Sequence, residues 1–265
     1  MTPYDRAHAA MEAAPEDDRL RLAVYDRLAD SELFLLLESE PVDEAITPQV
    51  FETDEGDFVL AFDLEERLAS FTGEAAPYAA LPGRVIAQYL AGEGVGLGIN
   101  LGVAESAMLL PPDALDWLTD TLTHAPQAAS GRPVAFHPPA LPPAILGALL
   151  PAFDAKFDQL AGLATHALLG GVTYEDGRRG HILAFLGAPE AVQAAIAKAM
   201  AEALAFSGLE AGELDVTFLR PEDPAANLLL TEGIVLHLPE RIVEEVQELR
   251  PAAPGMDPGK PPILR

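Results

Sequence analysis

Apolar residues along the first 125 positions fall into alternating helical and strand periods. The opening reads as two helices: Thr2 caps the first, with Pro3 at its first position, and the second runs from about Pro15 to Ala29 with Leu20, Val24 and Leu28 on one stripe. Leu33 to Leu37 is an unbroken apolar run, the pattern of a short strand buried on both faces. Gln49–Thr53 and Asp57–Phe62 bracket Asp54-Glu55-Gly56, which predicts a hairpin whose turn glycine takes positive φ. Asp63 is placed to cap the next helix, with Glu66 reaching back and Leu64, Leu68 and Phe71 on its buried face. Pro82 opens a helix carrying Val85, Ile86, Tyr89 and Leu90, and Gly92 ends it. Val95, Leu97 and Ile99 alternate with Gly96 and Gly98, a strand with one bare face. Ser106–Leu110 is its expected partner, and a helix from Pro112 to about Thr123 closes the unit.

Six prolines between Pro126 and Pro143, with Ser130-Gly131 among them, predict a linker. Beyond it Leu146, Leu149, Leu150, Phe153, Phe157 and Leu160 share a helical stripe that Pro151 bends. Strands over 163–174 and 181–186 flank a turn at Asp176-Gly177. An alanine-rich helix from Pro189 to Phe206 buries Val192, Ile196, Met200 and Ala203, and strands over 215–219 and 234–238 complete a sheet with helices on one face. The fold class predicted is α+β: two α/β sandwich-like domains, at 1–125 and 144–240, each a mixed or antiparallel sheet with helices packed on it. The linker is 126–143, and 241–265 is a helical end and disordered Pro/Gly-rich tail.

Charge adds a partner class to this outline. The chain carries a net charge of −26, and residues 1–125 hold 25 acids against 6 bases. From Leu28 to Glu66 there are 13 acidic residues and no lysine or arginine, so the first sheet is expected to lie under an acidic skin. Such a field repels phosphate backbones and anionic membrane surfaces, which argues against nucleic-acid and membrane partners. Another protein with a basic surface is the favoured counterpart, and the same charge also serves solubility. Zero cysteines exclude disulfides, thiolate nucleophiles and cysteine metal sites. The first residues mix Asp5, Glu12 and Asp17 with small side chains, unlike a secretory signal, so the expected location is the cytoplasm.

Candidate chemistry is sparse. Gly92-Glu93-Gly94-Val95-Gly96-Leu97-Gly98 has the wrong spacing for a dinucleotide fingerprint and follows a helix instead of preceding one, so no cofactor is expected there. Glu52, Asp54, Glu55 and Asp57 lack the glycine position and closing glutamate of a calcium loop; they read as an exposed hairpin edge and are the expected protein-binding residues. His166, His181 and His237 each fall in a predicted strand of the second domain. They would form a metal site, with the three-imidazole ligand set of catalytic zinc, only if they shared a face. No nucleophile elbow or paired carboxylates stand out, so no catalytic residue is named and a non-enzymatic role is expected. The alternative is a small-molecule-binding or metal-dependent protein with a pocket in the second domain or between the domains.

Leu28-Ala29-Asp30-Ser31-Glu32-Leu33-Phe34, then Asp54 to Phe62 running into Leu64-Glu65-Glu66-Arg67-Leu68, resemble the SseB N-terminal domain family, as do Leu97-Gly98-Ile99-Asn100 and Leu109-Leu110-Pro111. The later pattern, with Ala164–Ala167 and Val216-Thr217-Phe218-Leu219, is similar to the C-terminal domain paired with it. The resemblance implies a bacterial protein associated with enhanced serine sensitivity and linked to sulfurtransferase activity. It brings no catalytic residues and no cofactor.

Overall fold

A computed structural model describes residues 1–41, 45–54, 56–126, 131–208 and 214–240. The predicted helical end and tail over 241–265 lie outside these residues. The first part runs α1 (Pro3–Ala13), α2 (Asp18–Asp30), β1 (Glu32–Leu36), β2 (Val50–Thr53), β3 (Gly56–Phe62), α3 (Glu65–Thr72), β4 (Tyr78–Pro82), α4 (Gly83–Leu90), β5 (Gly96–Ile99), β6 (Met108–Leu110) and α5 (Pro112–Thr123). Its six strands form one mixed sheet in the order β4-β1-β3-β5-β6, with β2 also on β3. Only β3 and β5 run parallel; the other pairs are antiparallel.

Alternation along the strands sorts the side chains into two layers. Leu33, Leu35, Val59, Ala61, Leu97 and Ile99 form the larger core, which Tyr4, Val24, Leu28, Ile86, Leu115 and Leu118 cover from the helices. Leu60 and Phe62 face the other way and are covered by Leu68 of α3. The alternating glycines of β5 do not leave a bare face. A Cβ on Gly96 would lie 2.4 Å from the Phe58 ring, and one on Gly98 would lie 2.7 Å from Leu60 and Leu101. Small residues are required here because neighbouring side chains occupy the space. Gly83 shows the same constraint where α4 meets α2: its Cβ would sit 1.9 Å from the Leu28 carbonyl oxygen. Gly83→Ala is therefore expected to lower stability by about 1–3 kcal/mol, the usual cost of overpacking, read as a lower urea midpoint at unchanged m-value.

The second part comprises β7 (Pro133–His137), α6 (Pro143–Phe157), β8 (His166–Tyr174), β9 (Arg179–Leu186), α7 (Glu190–Phe206), β10 (Leu214–Leu219), α8 (Pro224–Glu232) and β11 (Ile234–His237). Its sheet order is β10-β9-β8-β11, with β7 also on β8. β9 and β10 are parallel and joined through α7; the remaining pairs are antiparallel. Two expectations need correction. Residues 133–137, read as linker, form β7; Pro133 is tolerated at its first position on a sheet edge, where no ladder donor is lost. The helices do not share one face. α6 and α7 cover Leu169, Leu183 and Phe185, whereas Ala226 and Leu229 of α8 cover Leu168, Val172 and Ile182 on the opposite side.

The two parts meet through α7. Phe206 at its end is buried in the first core, and its ring lies 6.2 Å from Trp117, which in turn meets Tyr25 at 5.2 Å, both edge-on. Among the described residues no helix is long and apolar enough to cross a membrane.

Candidate functional site

The acidic hairpin forms as the turn chemistry requires. β2 pairs with β3 in the register Val50–Val59, Phe51–Phe58, Glu52–Asp57 and Thr53–Gly56, and Gly56 takes φ +123°. Glu52 and Asp57 are therefore directly opposed, and both are exposed, as is Asp54 at the turn. Glu55 lies outside the described residues. Among the described residues no lysine or arginine pairs with Glu52, Asp54 or Asp57. Like charges facing each other across strands are unfavourable. Among the described residues β2, which carries one side of this juxtaposition, pairs only with β3 and so lies at the outside of the sheet.

The histidines divide into two sets. His166 and His237 are directly paired across β8 and β11, with ring centroids 4.8 Å apart. His181 pairs with Gly171, five positions further along β8, and an odd step reverses the face. It points to the α6 and α7 side, with its Nδ1 buried and unbonded among the described residues. The three-imidazole site is thus not formed, because strand parity sends one ligand to the wrong side of the sheet. Among the described residues no group of three or more histidine or carboxylate side chains is arranged to hold a metal ion.

Two charged clusters were not singled out in the sequence. The first joins the two parts of the molecule. Lys156 of α6 is 1% exposed and its Nζ reaches Asp26 Oδ1 at 2.6 Å, Asp30 Oδ2 at 2.5 Å and Glu202 Oε2 at 3.5 Å. Arg84 of α4 bridges Asp30 and Glu202, with Arg84–Glu202 at 3.1 Å. Burial pulls the Lys156 ammonium down, but the facing carboxylates outweigh it and hold its pKa above the ordinary lysine value. Burial likewise pushes against the Asp30 carboxylate and is outweighed by Lys156 and Arg84, leaving that group below its ordinary value. Asp26 meets Lys156 off the hydrogen-bonding axis, and there burial wins and raises its pKa. A sequence signal did exist: Lys156 interrupts an apolar stripe between Phe153 and Phe157, and Glu202 does so between Met200 and Ala203.

The second cluster lies where the parallel strands β3 and β5 end. Asp63 does not cap α3 as the sequence suggested. Its carboxylate accepts from Thr2 Oγ1 and Arg67 Nη1, each at 2.6 Å, while Leu64 takes the N-cap position without a side-chain bond. Arg67 also donates twice to Asp5, at 2.8 Å each, and Ser106 Oγ donates to Asp5 at 2.6 Å. Asn100, buried with φ +52°, accepts from the Asp63 amide and donates to Ser106. The network ties α1 to the sheet.

A cleft of about 330 Å³ opens between α2, α6 and α7, lined by Leu20, Ala23, Asp26, Ala148, Ala152 and Phe206. A second, of about 500 Å³, lies at the carboxyl ends of β9 and β10, beside Gly187, Glu190, Arg220 and Asp223. His166, His181 and His237 line neither. Residues 7–117 match the family model described as the SseB protein N-terminal domain. Nothing among the curated proteins and nothing among the solved structures matches the chain.

Proposed function

We propose that this chain, an SseB-family protein through the N-terminal domain matched by residues 7–117, is a non-enzymatic, protein-binding regulatory component that uses the acidic hairpin as its contact surface. The observation that carries this reading is the exposed, unneutralised opposition of Glu52 and Asp57 on an outer strand, with Asp54 beside them. A charge arrangement that costs stability is accounted for by a cationic partner that neutralises it on binding. The partner is a protein with a basic face, and a sulfurtransferase is the first candidate to test, with serine sensitivity as the associated phenotype.

Capture from native lysate should compare the unmodified protein with the Glu52→Gln/Asp54→Asn/Glu55→Gln/Asp57→Asn variant at low and moderate salt. A basic protein retained only by the unmodified chain, and released as salt rises, is the expected result. Equal retention by both chains, or retention that ignores salt, would overturn the reading. The same variant should be more stable by roughly 0.2–1 kcal/mol once the opposed charges are gone, seen as a raised urea midpoint. A second reading, a small apolar ligand between the two parts, is supported by the 330 Å³ cleft, whose size falls within the range of ligand pockets.

A further inference from the structure

We infer that His166 and His237 form a two-imidazole binding site for a borderline transition-metal ion, of which Cu2+ is the strongest binder. The inference does not depend on the acidic hairpin. The two residues are exact cross-strand partners at the end of β8 and β11, on the same side of the sheet. Two imidazoles sharing one metal at bonds of about 2.0–2.1 Å place their ring centroids about 4.5–5.2 Å apart for nitrogen–metal–nitrogen angles between about 90° and 109°. The observed separation is 4.8 Å, so the backbone register already supplies the spacing. Neither ring makes a hydrogen bond among the described residues, so one nitrogen of each is available to a shared ion.

The other strand histidines differ on this point. His137 Nε2 is engaged by Thr173 Oγ1 at 2.9 Å, and His181 lies on the opposite face. His166 is half-buried and His237 exposed, so one side of the pair is open to solvent. The next positions in the same cross-strand row are Leu186 and Leu219, which give the site an apolar wall and no further ligand. Two nitrogen ligands with the remaining positions open to water suit Cu2+, Ni2+ and Zn2+, and exclude hard ions that need oxygen cages. The net charge of −26 raises the local concentration of any cation, while the imidazoles decide which one stays.

The full-length protein should be titrated with Cu2+ at pH 7.5 in a buffer of known copper affinity, with the electron paramagnetic resonance spectrum recorded at one equivalent. The expected result is one site with hyperfine structure from two nitrogens. His166→Gln or His237→Gln should each weaken it roughly tenfold or more, and His137→Gln should leave it unchanged. Excess Mg2+ should not displace the copper. Far-UV circular dichroism establishes that the variants remain folded. An affinity unaffected by either substitution, or a spectrum with oxygen ligands only, would place the ion on the acidic surface and overturn the inference.

Discussion

Lys156→Met is expected to lower the unfolding free energy by about 3–5 kcal/mol at neutral pH, because it strands buried carboxylates without their shared cation. Asp26, Asp30 and Glu202 all converge on Lys156 Nζ, and Arg84 serves only the last two. Removing the ammonium leaves Asp26, among the described residues, with only the more distant Arg27, at 3.8 Å, so Asp26 is harmed most. The deficit should shrink on acidification. Burial already raises the Asp26 carboxyl, and without the ammonium it costs nothing when protonated and progressively more as pH rises through its folded value. Lys156→Met/Asp26→Leu should recover part of the loss, since it removes the Asp26 charge together with the cation and leaves Asp30 and Glu202 to Arg84. Urea unfolding between pH 5 and 7 measures all three chains. A loss below about 1 kcal/mol for the single variant would mean that the cluster is hydrated instead of sealed.

Arg67→Met should cost about 3 kcal/mol and release α1 from the sheet. The guanidinium beside Asp5 holds that carboxyl well below the ordinary carboxylate range; burial opposes it, and the Ser106 hydroxyl and Thr2 amide support it. A carboxyl whose folded pKa is depressed contributes fully above its unfolded pKa and loses that contribution as pH falls toward the folded value. The unmodified protein should accordingly lose stability below about pH 4, and the Arg67→Met chain should show a flatter acid limb because this coupling is already gone. Urea midpoints from pH 2 to 7 test the sign. Parallel pH profiles for the two chains would rule out Arg67 as the origin of the Asp5 shift. Amide exchange along 3–13 would separately show whether α1 is freed.

Much of the architecture was legible in local pattern. The Leu33–Leu37 run, the Asp54-Glu55-Gly56 turn and the stripes of α2 and α7 gave elements close to those observed, because hydrophobic period and turn chemistry act within a few residues. Weaker local signals were missed: β4, with its run of Tyr78-Ala-Ala-Leu-Pro, β7 inside a proline-rich stretch, and α8 behind Pro224. Each is held mainly by what it packs against. β4 lies along β1, β7 along β8, and α8 covers a sheet face through Ala226 and Leu229.

The candidate sites divide along the same line. Glu52, Asp54 and Asp57 could be read as exposed from the turn between the strands, while the direct opposition of Glu52 and Asp57 came from the register. The histidines could be assigned to strands but not to faces, since the 166–237 match and the reversal at 181 depend on register across strands distant in the chain. Lys156 and Arg67 could be seen as charges and not as the centres of clusters, because their partners lie up to 130 and 62 residues away. By itself the sequence determined which segments bury apolar surface, where the chain turns and how negative it is, all consequences of side-chain chemistry at short range. Only the tertiary structure decided which charges are neutralised, which glycines have no room for a Cβ and which imidazoles meet, because those depend on contacts that exist once the two sheets are assembled.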